Sequence, residues 1–224
     1  MLRRLRSLSA RSRNAQSDES GLSLIELVVA MSIFTVVLGI YFSALMSMSR
    51  TTVQAQDSVD ASDALRATFN VLDHQVRYAT SINMPGKGAS GDSWYVELEA
   101  TDLPDSQPSM CYQWQLDTTT QVLSYRTWVK DGSSLVTDWR GVSWGVESAT
   151  AGSPFTFKAA GTTSSETRQA LTVSLKVEGL TTDQMSEQQN TFIARNSSSQ
   201  SPSNLDVNGD GVRDAVCMTG MNRP

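Results

Sequence analysis

The chain has 224 residues, which allow one domain of ordinary size with appended segments, and its formal net charge is −5. An acidic chain lacks the extended basic surface that electrostatic binding of nucleic acid requires, so general nucleic-acid binding is not expected. The only histidine is His74, and no SxxK motif occurs. The sequence therefore offers no complete catalytic set and does not indicate an enzyme.

A basic leader, residues 1–21, precedes an uncharged apolar segment. Leu27 to Ser49 contains no charged side chain, and a bilayer-spanning helix needs about 20 apolar residues. Residues 22–49 are therefore predicted to cross a membrane. Because the arginines lie before this segment, the leader is expected in the cytoplasm and the chain after Arg50 outside. A Sec-type signal peptide does not fit, because the apolar run is too long. In a signal peptide the small residues of the cleavage site also follow the apolar run, whereas Gly21 precedes it here.

Glu26 is an acid at the edge of this apolar segment. A charged side chain inside a bilayer costs roughly 2.5–3.5 kcal/mol at the helix centre, so such a residue usually has a function. The alternative is an ordinary signal anchor that carries an accidental glutamate.

The sequence Gly21-Leu-Ser-Leu-Ile-Glu26-Leu-Val-Val resembles the class III signal of type IV prepilins and pseudopilins. This resemblance implies that a prepilin peptidase cuts between Gly21 and Leu22 and that the new amine of Leu22 is methylated. It also implies that Glu26 pairs with the first amine of a neighbouring subunit and so sets the register between helices. The expected partners are the peptidase, other pilins or minor pilins, and the inner or cytoplasmic membrane before assembly.

The next segment has the period of an amphipathic helix. No proline occurs between Leu22 and Met84, so nothing forces a helix break there. Apolar residues recur at helical spacing as Ala61, Leu65, Phe69, Leu72, Val76 and Ala79. We predict one helix over about 23–81, within a segment 22–82 whose second half packs on a globular head.

Alternating patterns indicate a β-rich head over residues 83–195. The clearest predicted strands are 110–116 and 171–177, and the others are 94–98, 122–129, 135–146, 155–158 and, more weakly, 189–195. A helix covered by one antiparallel sheet gives an α+β, pilin-like fold. Residues 196–224 are predicted to be a polar linker, 196–204, followed by a C-terminal appendage.

Cys111 and Cys217 are the only cysteines, and both fall in the exported part. In an oxidising compartment two cysteines most simply form one disulfide, and two buried free thiols are the alternative. A zinc site would need further ligands, and His74 lies on the helix.

The tail contains a calcium-like pattern. Asp206, Asn208 and Asp210 occupy positions 1, 3 and 5 of an EF-hand loop, a glycine occupies position 6, and Val212 would offer its carbonyl at position 7. Asp214 occupies position 9, but position 12 is Cys217 instead of the usual glutamate, so the loop looks more like shorter dockerin-type calcium loops. The alternative is a polar turn that binds nothing.

These features favour a structural protein. The first interpretation is a minor pilin that primes a type IV pilus or sits at its tip, since the segment 65–79 is loosely similar to larger minor pilins and J-type pseudopilins. The alternatives are a minor pseudopilin of type II secretion and, less favoured, a membrane-anchored, calcium-dependent adhesive module. The protein would first be a single-pass membrane protein and later lie in an extracellular pilus or periplasmic pseudopilus.

Overall fold

The computed structural model describes residues 21, 23–101, 103, 107–130, 136–161, 167–178, 185–217 and 223. The chain divides into two units between Ser49 and Arg50. A single helix, α1, runs through this boundary from Leu24–Tyr78. The α+β class predicted from the sequence is confirmed, because antiparallel sheets follow this helix and pack on its second half.

The second half of α1 buries the predicted apolar stripe. Its buried members are Leu65, Phe69, Leu72, Val76 and Ala79, the last just beyond the helix end. The side chain of Ala61 lies outside the described residues. The helix is shorter than predicted because Ser81 and Ile82 pair with the first sheet as a strand, which requires extended backbone.

Ten strands occur in the described part of the chain. They are β1 (Ser81–Ile82), β2 (Gly86–Lys87), β3 (Ser93–Ala100), β4 (Met110–Asp117), β5 (Val122–Val129), β6 (Arg140–Trp144), β7 (Val146–Ser148), β8 (Phe155–Lys158), β9 (Ala170–Glu178) and β10 (Met185–Ile193). The first sheet has the order β1-β3-β4-β5-β6, with β2 also paired to β3. The second has the order β10-β9-β7, with β8 also paired to β9. All pairs are antiparallel.

The core lies between the helix stripe and one face of each sheet. The first sheet contributes Val96, Leu98, Trp114, Leu116 and Leu123, and the second contributes Leu171, Val173, Leu175 and Val177. Trp114 donates its indole N–H to the side-chain oxygen of Gln75 at 2.7 Å, which satisfies both polar groups inside the core.

The structure divides the β residues between two sheets, where the sequence predicted one. The run 135–146 was expected to be a single strand, but β6 pairs with β5 whereas β7 pairs with β9. Gly145 lies between them with φ of 65°, in the left-handed region that interrupts a strand. The chain therefore passes from one sheet to the other at this glycine.

The segment 196–204, predicted to be a polar linker, is packed against the head. Ser197, Ser201 and Ser203 are buried. The Ser203 hydroxyl lies 2.6 Å from that of Ser81 in β1, and Gln169 donates to it at 3.0 Å. Buried serine hydroxyls that form hydrogen bonds within the protein replace those they made with water. The polar composition of 196–204 therefore did not mean that this segment is a solvent-exposed linker.

Candidate functional site: the N-terminal signal and the C-terminal tail

Ser23 caps the start of α1. Its hydroxyl oxygen accepts a hydrogen bond from the Glu26 N–H at 3.2 Å, and its carbonyl accepts one from the Leu27 N–H at 3.2 Å. Ser23 and Glu26 have the spacing of a capping box, and an acid in the first turn also favours the positive end of the helix dipole. This role of Ser23 was missed, although the S-x-x-E pattern indicates it. Leu22 and the leader, residues 1–20, lie outside the described residues.

The apolar side chains that follow are exposed along the first unit. Leu24 is 82% exposed, Phe34 62% and Ile40 65%. By length and composition, α1 is the one helix in the described part of the chain that could cross a membrane. Water would solvate these side chains poorly, so lipid or other apolar helices would have to cover them.

A disulfide joins Cys111 in β4 to Cys217 in the tail, as the sequence predicted. The two Cα atoms are 5.7 Å apart and the cysteines are separated by 106 positions. Trp128 and Val216 are buried with them in a small second cluster. Cys217 has φ of 61°, which a residue other than glycine rarely adopts, so the cross-link holds the tail in an unfavourable backbone conformation.

A buried carboxylate on the same face of the first sheet also binds the tail. Glu97 is fully buried, and its two oxygens accept hydrogen bonds from Arg223 at 3.0 and 2.7 Å. Gln113 and Asn83 donate to Glu97 as well, at 3.0 and 3.1 Å. Asn83 also exchanges hydrogen bonds with the backbone of Val216.

Sequence reasoning missed this network because no local pattern indicates it. Glu97 alternates with core residues of β3, and an acid on the alternate face of a strand normally lies in water. Its partner Arg223 is distant in sequence, beyond the disulfide. The tail therefore covers the face of the first sheet that the helix leaves open.

The backbone of the calcium-like loop is left-handed at two glycines. Gly209 and Gly211 have φ of 73° and 83°. The Asp206 carboxylate accepts hydrogen bonds from the N–H groups of Gly209, Asp210 and Gly211 at 2.7, 3.1 and 2.8 Å. The Asp210 carboxylate in turn accepts from the Val212 N–H at 2.8 Å. These contacts define a tight turn.

Asp214 closes the base of this loop. Its N–H donates to the Leu205 carbonyl at 2.8 Å, and its carboxylate accepts from the Val207 N–H at 3.0 Å. The Asn208 side chain contacts Asp210. Within the described residues, no three His, Cys, Asp or Glu side chains gather as a metal-binding group. Calcium binding by this loop therefore stays a prediction.

His74 and the five tryptophans differ in how far they are buried. His74 is exposed on α1, with its ring 5.1 Å from that of Tyr78. Trp114 and Trp128 are buried, and Trp94 and Trp139 are half-buried. Trp144 alone among the five tryptophans is exposed.

The comparisons with known proteins bear on the N-terminal segment. The family model of the prokaryotic N-terminal methylation motif matches residues 16–42, which include Gly21, Ser23 and Glu26. No curated protein and no solved structure matches the chain. The N-terminal segment is thus a class III signal, and the chain carries the motif that type IV pilins and pseudopilins share.

Proposed function

We propose that the chain is a minor pilin, a subunit that primes a type IV pilus or lies at its tip. The observation that carries this proposal is the class III signal at the start of a helix whose apolar side chains are exposed. That arrangement suits a subunit held first in a membrane and then in the helical core of a filament. A folded head on the same helix would lie outside the membrane.

The same features support a structural role over an enzymatic one. The methylation motif belongs to proteins that assemble, and the one histidine lies exposed on the helix. A minor pseudopilin of type II secretion is the second candidate, because it would use the same signal. Deleting the gene separates the two, since loss of pili with normal secretion supports the first and loss of secretion supports the second.

Glu26→Ala is expected to leave cleavage nearly unchanged and to reduce incorporation into filaments at least tenfold. The substitution removes the carboxylate that would pair with a neighbouring subunit's first amine, and an amine left unpaired in an apolar filament core costs several kcal/mol. The measurement is mass spectrometry of the native N-terminus together with immunodetection in sheared filaments. Wild-type protein should begin at methylated Leu22.

Two controls make this result specific. Glu26→Asp keeps the charge and should retain partial incorporation, whereas Gly21→Val should block cleavage itself because a side chain obstructs close backbone approach. Incorporation of Glu26→Ala at the wild-type level would contradict amine pairing. A mature N-terminus elsewhere than Leu22 would contradict the proposed processing.

We also propose that the tail loop binds calcium through Asp206, Asn208, Asp210 and Asp214 and the Val212 carbonyl. The spacing of these oxygen donors supports the proposal, together with the left-handed Gly211 at position 6. The Cys217 disulfide lies where a full EF-hand would close its metal site, and it would stiffen the loop. A calcium-dependent adhesive module is the further function that this site would allow.

Calcium is expected to raise the melting temperature of the oxidised protein, because a ligand that binds only the folded state stabilises it. At about 100 times Kd the gain is about 2.7 kcal/mol. Asp210→Asn should abolish the shift, since an amide keeps the hydrogen bond from Val212 but loses the charge. Differential scanning calorimetry with calcium and with magnesium checks this, and Asp63→Asn, on the exposed helix surface, is the control. An equal shift in Asp210→Asn and the wild type would refute the site.

A further inference from the structure

One tryptophan of the head is largely open to solvent. Trp144, the last residue of β6, is 66% exposed, whereas Trp114 and Trp128 are 0% and 7% exposed. Leaving an indole in water forgoes the roughly 1.5–3 kcal/mol that a large buried side chain contributes. The exposure of Trp144 therefore does not serve the stability of the head.

The indole lies against the strand beneath it. Trp144 pairs with Val122 across β5 and β6. A Cβ atom added to Gly141 would lie 3.0 Å from Cζ2 of the ring and 3.5 Å from the Val122 side chain. Glycine at position 141 thus lets the ring rest on the sheet. The ring therefore presents an exposed aromatic surface over Gly141.

Hydrogen-bonding side chains lie beside the end of this strand. The Val146 N–H donates to the carbonyl of Gln121, the residue before Val122, at 2.9 Å. The Gln121 amide donates to Glu147 at 2.6 Å, and the Lys176 Nζ lies 2.8 Å from the other Glu147 oxygen. Gln121 has φ of 55°, an uncommon conformation for a residue other than glycine. Hydrogen bonding from Lys176 lowers the pKa of Glu147, which is therefore a charged acceptor at neutral pH.

This surface is poorly suited to a protein strand or subunit. β6 has only five residues, its pairing with β5 is irregular between Leu123 and Ser124, and Gly145 ends it. Short, irregular edges are those that resist strand addition. Arg140 at the start of β6 and Glu147 in β7 are charged, whereas the centre of a protein interface is normally a contiguous apolar patch.

We propose that Trp144, with Gln121, Glu147 and Lys176, forms a shallow binding site for a neutral polysaccharide. One face of a pyranose ring consists of C–H groups, which pack on an aromatic ring. Its hydroxyl groups can donate to the carboxylate and accept from the amide and the ammonium group. A fixed apolar surface beside a few polar groups is the usual composition of a ligand site. The opposite charges of Glu147 and Lys176 balance, which favours an uncharged ligand.

The test is titration of the mature full chain in detergent micelles with two hexasaccharides, of β-1,4-linked glucose and of β-1,4-linked N-acetylglucosamine. Binding of at least one is expected, with a Kd in the millimolar range or below and a change in tryptophan fluorescence. Trp144→Ala should weaken binding at least tenfold, while Trp144→Phe should keep most of it. Gly141→Val should weaken binding as Trp144→Ala does, because its side chain displaces the ring.

Trp139→Phe is the matched control, since Trp139 is half-buried beneath the Arg126 guanidinium and should not contribute. Circular dichroism checks that each variant is folded. Failure of both sugars to bind at about 10 mM would overturn the proposal. Equal binding by Trp144→Ala and the wild type would overturn it too. Neither result would bear on the assembly role of the signal.

Discussion

Replacing Arg223 with alanine is expected to lower the free energy of unfolding by about 3–5 kcal/mol, because it leaves the buried Glu97 carboxylate without its positive partner. Gln113 and Asn83 would still donate to Glu97 but carry no charge. The measurement is urea unfolding of the mature chain in detergent, followed by far-ultraviolet circular dichroism.

A second substitution shows whether the lost charge is the cause. Glu97→Gln in the Arg223→Ala background should recover part of the stability, since a neutral amide is cheaper to bury than an unpaired carboxylate. Arg66→Ala is the matched control, because that arginine pairs with Asp63 on the exposed helix surface and should change stability by less than about 1 kcal/mol. A loss below about 1 kcal/mol in Arg223→Ala would contradict a buried ion pair.

Removing the disulfide by changing Cys111 and Cys217 to alanine should cost about 2–5 kcal/mol. The chain-entropy model gives about 4.7 kcal/mol for a loop of roughly 100 residues, and the separation here is 106. The double variant avoids a free thiol. Urea unfolding of the oxidised wild type and the variant, under identical conditions, measures the difference.

The disulfide and Arg223 both hold the tail on the first sheet, so their effects should be coupled. Once the cross-link is absent, the tail detaches more easily, and Arg223→Ala should then cost less than in the oxidised protein. Strict additivity of the two losses would contradict a tail that is held as one unit. Unchanged stability after loss of the disulfide would contradict the cross-link itself.

The features that the sequence determined are those with local causes. The signal around Gly21 and Glu26 is a contiguous motif, and the helix stripe from Leu65 to Val76 repeats at 3.6 residues because one helix face is buried. The strand at 171–177 alternates because only one of its faces meets the core. The disulfide was predictable because the chain holds two cysteines and both follow the apolar segment, on the side that is expected to be oxidising.

Tertiary structure alone decided how these elements combine. The sequence pattern of the run 135–146 is the same whether its residues join one sheet or two. Its division into β6 and β7 depends on their pairing with different strands, β5 and β9. Burial of Glu97 depends on Arg223, which is distant in sequence but adjacent in space. The five tryptophans have similar strand patterns, and only the packing around each decides that Trp144 is exposed. Periodicity reports which face of an element is buried, but the partner that covers it is set by contacts between distant residues.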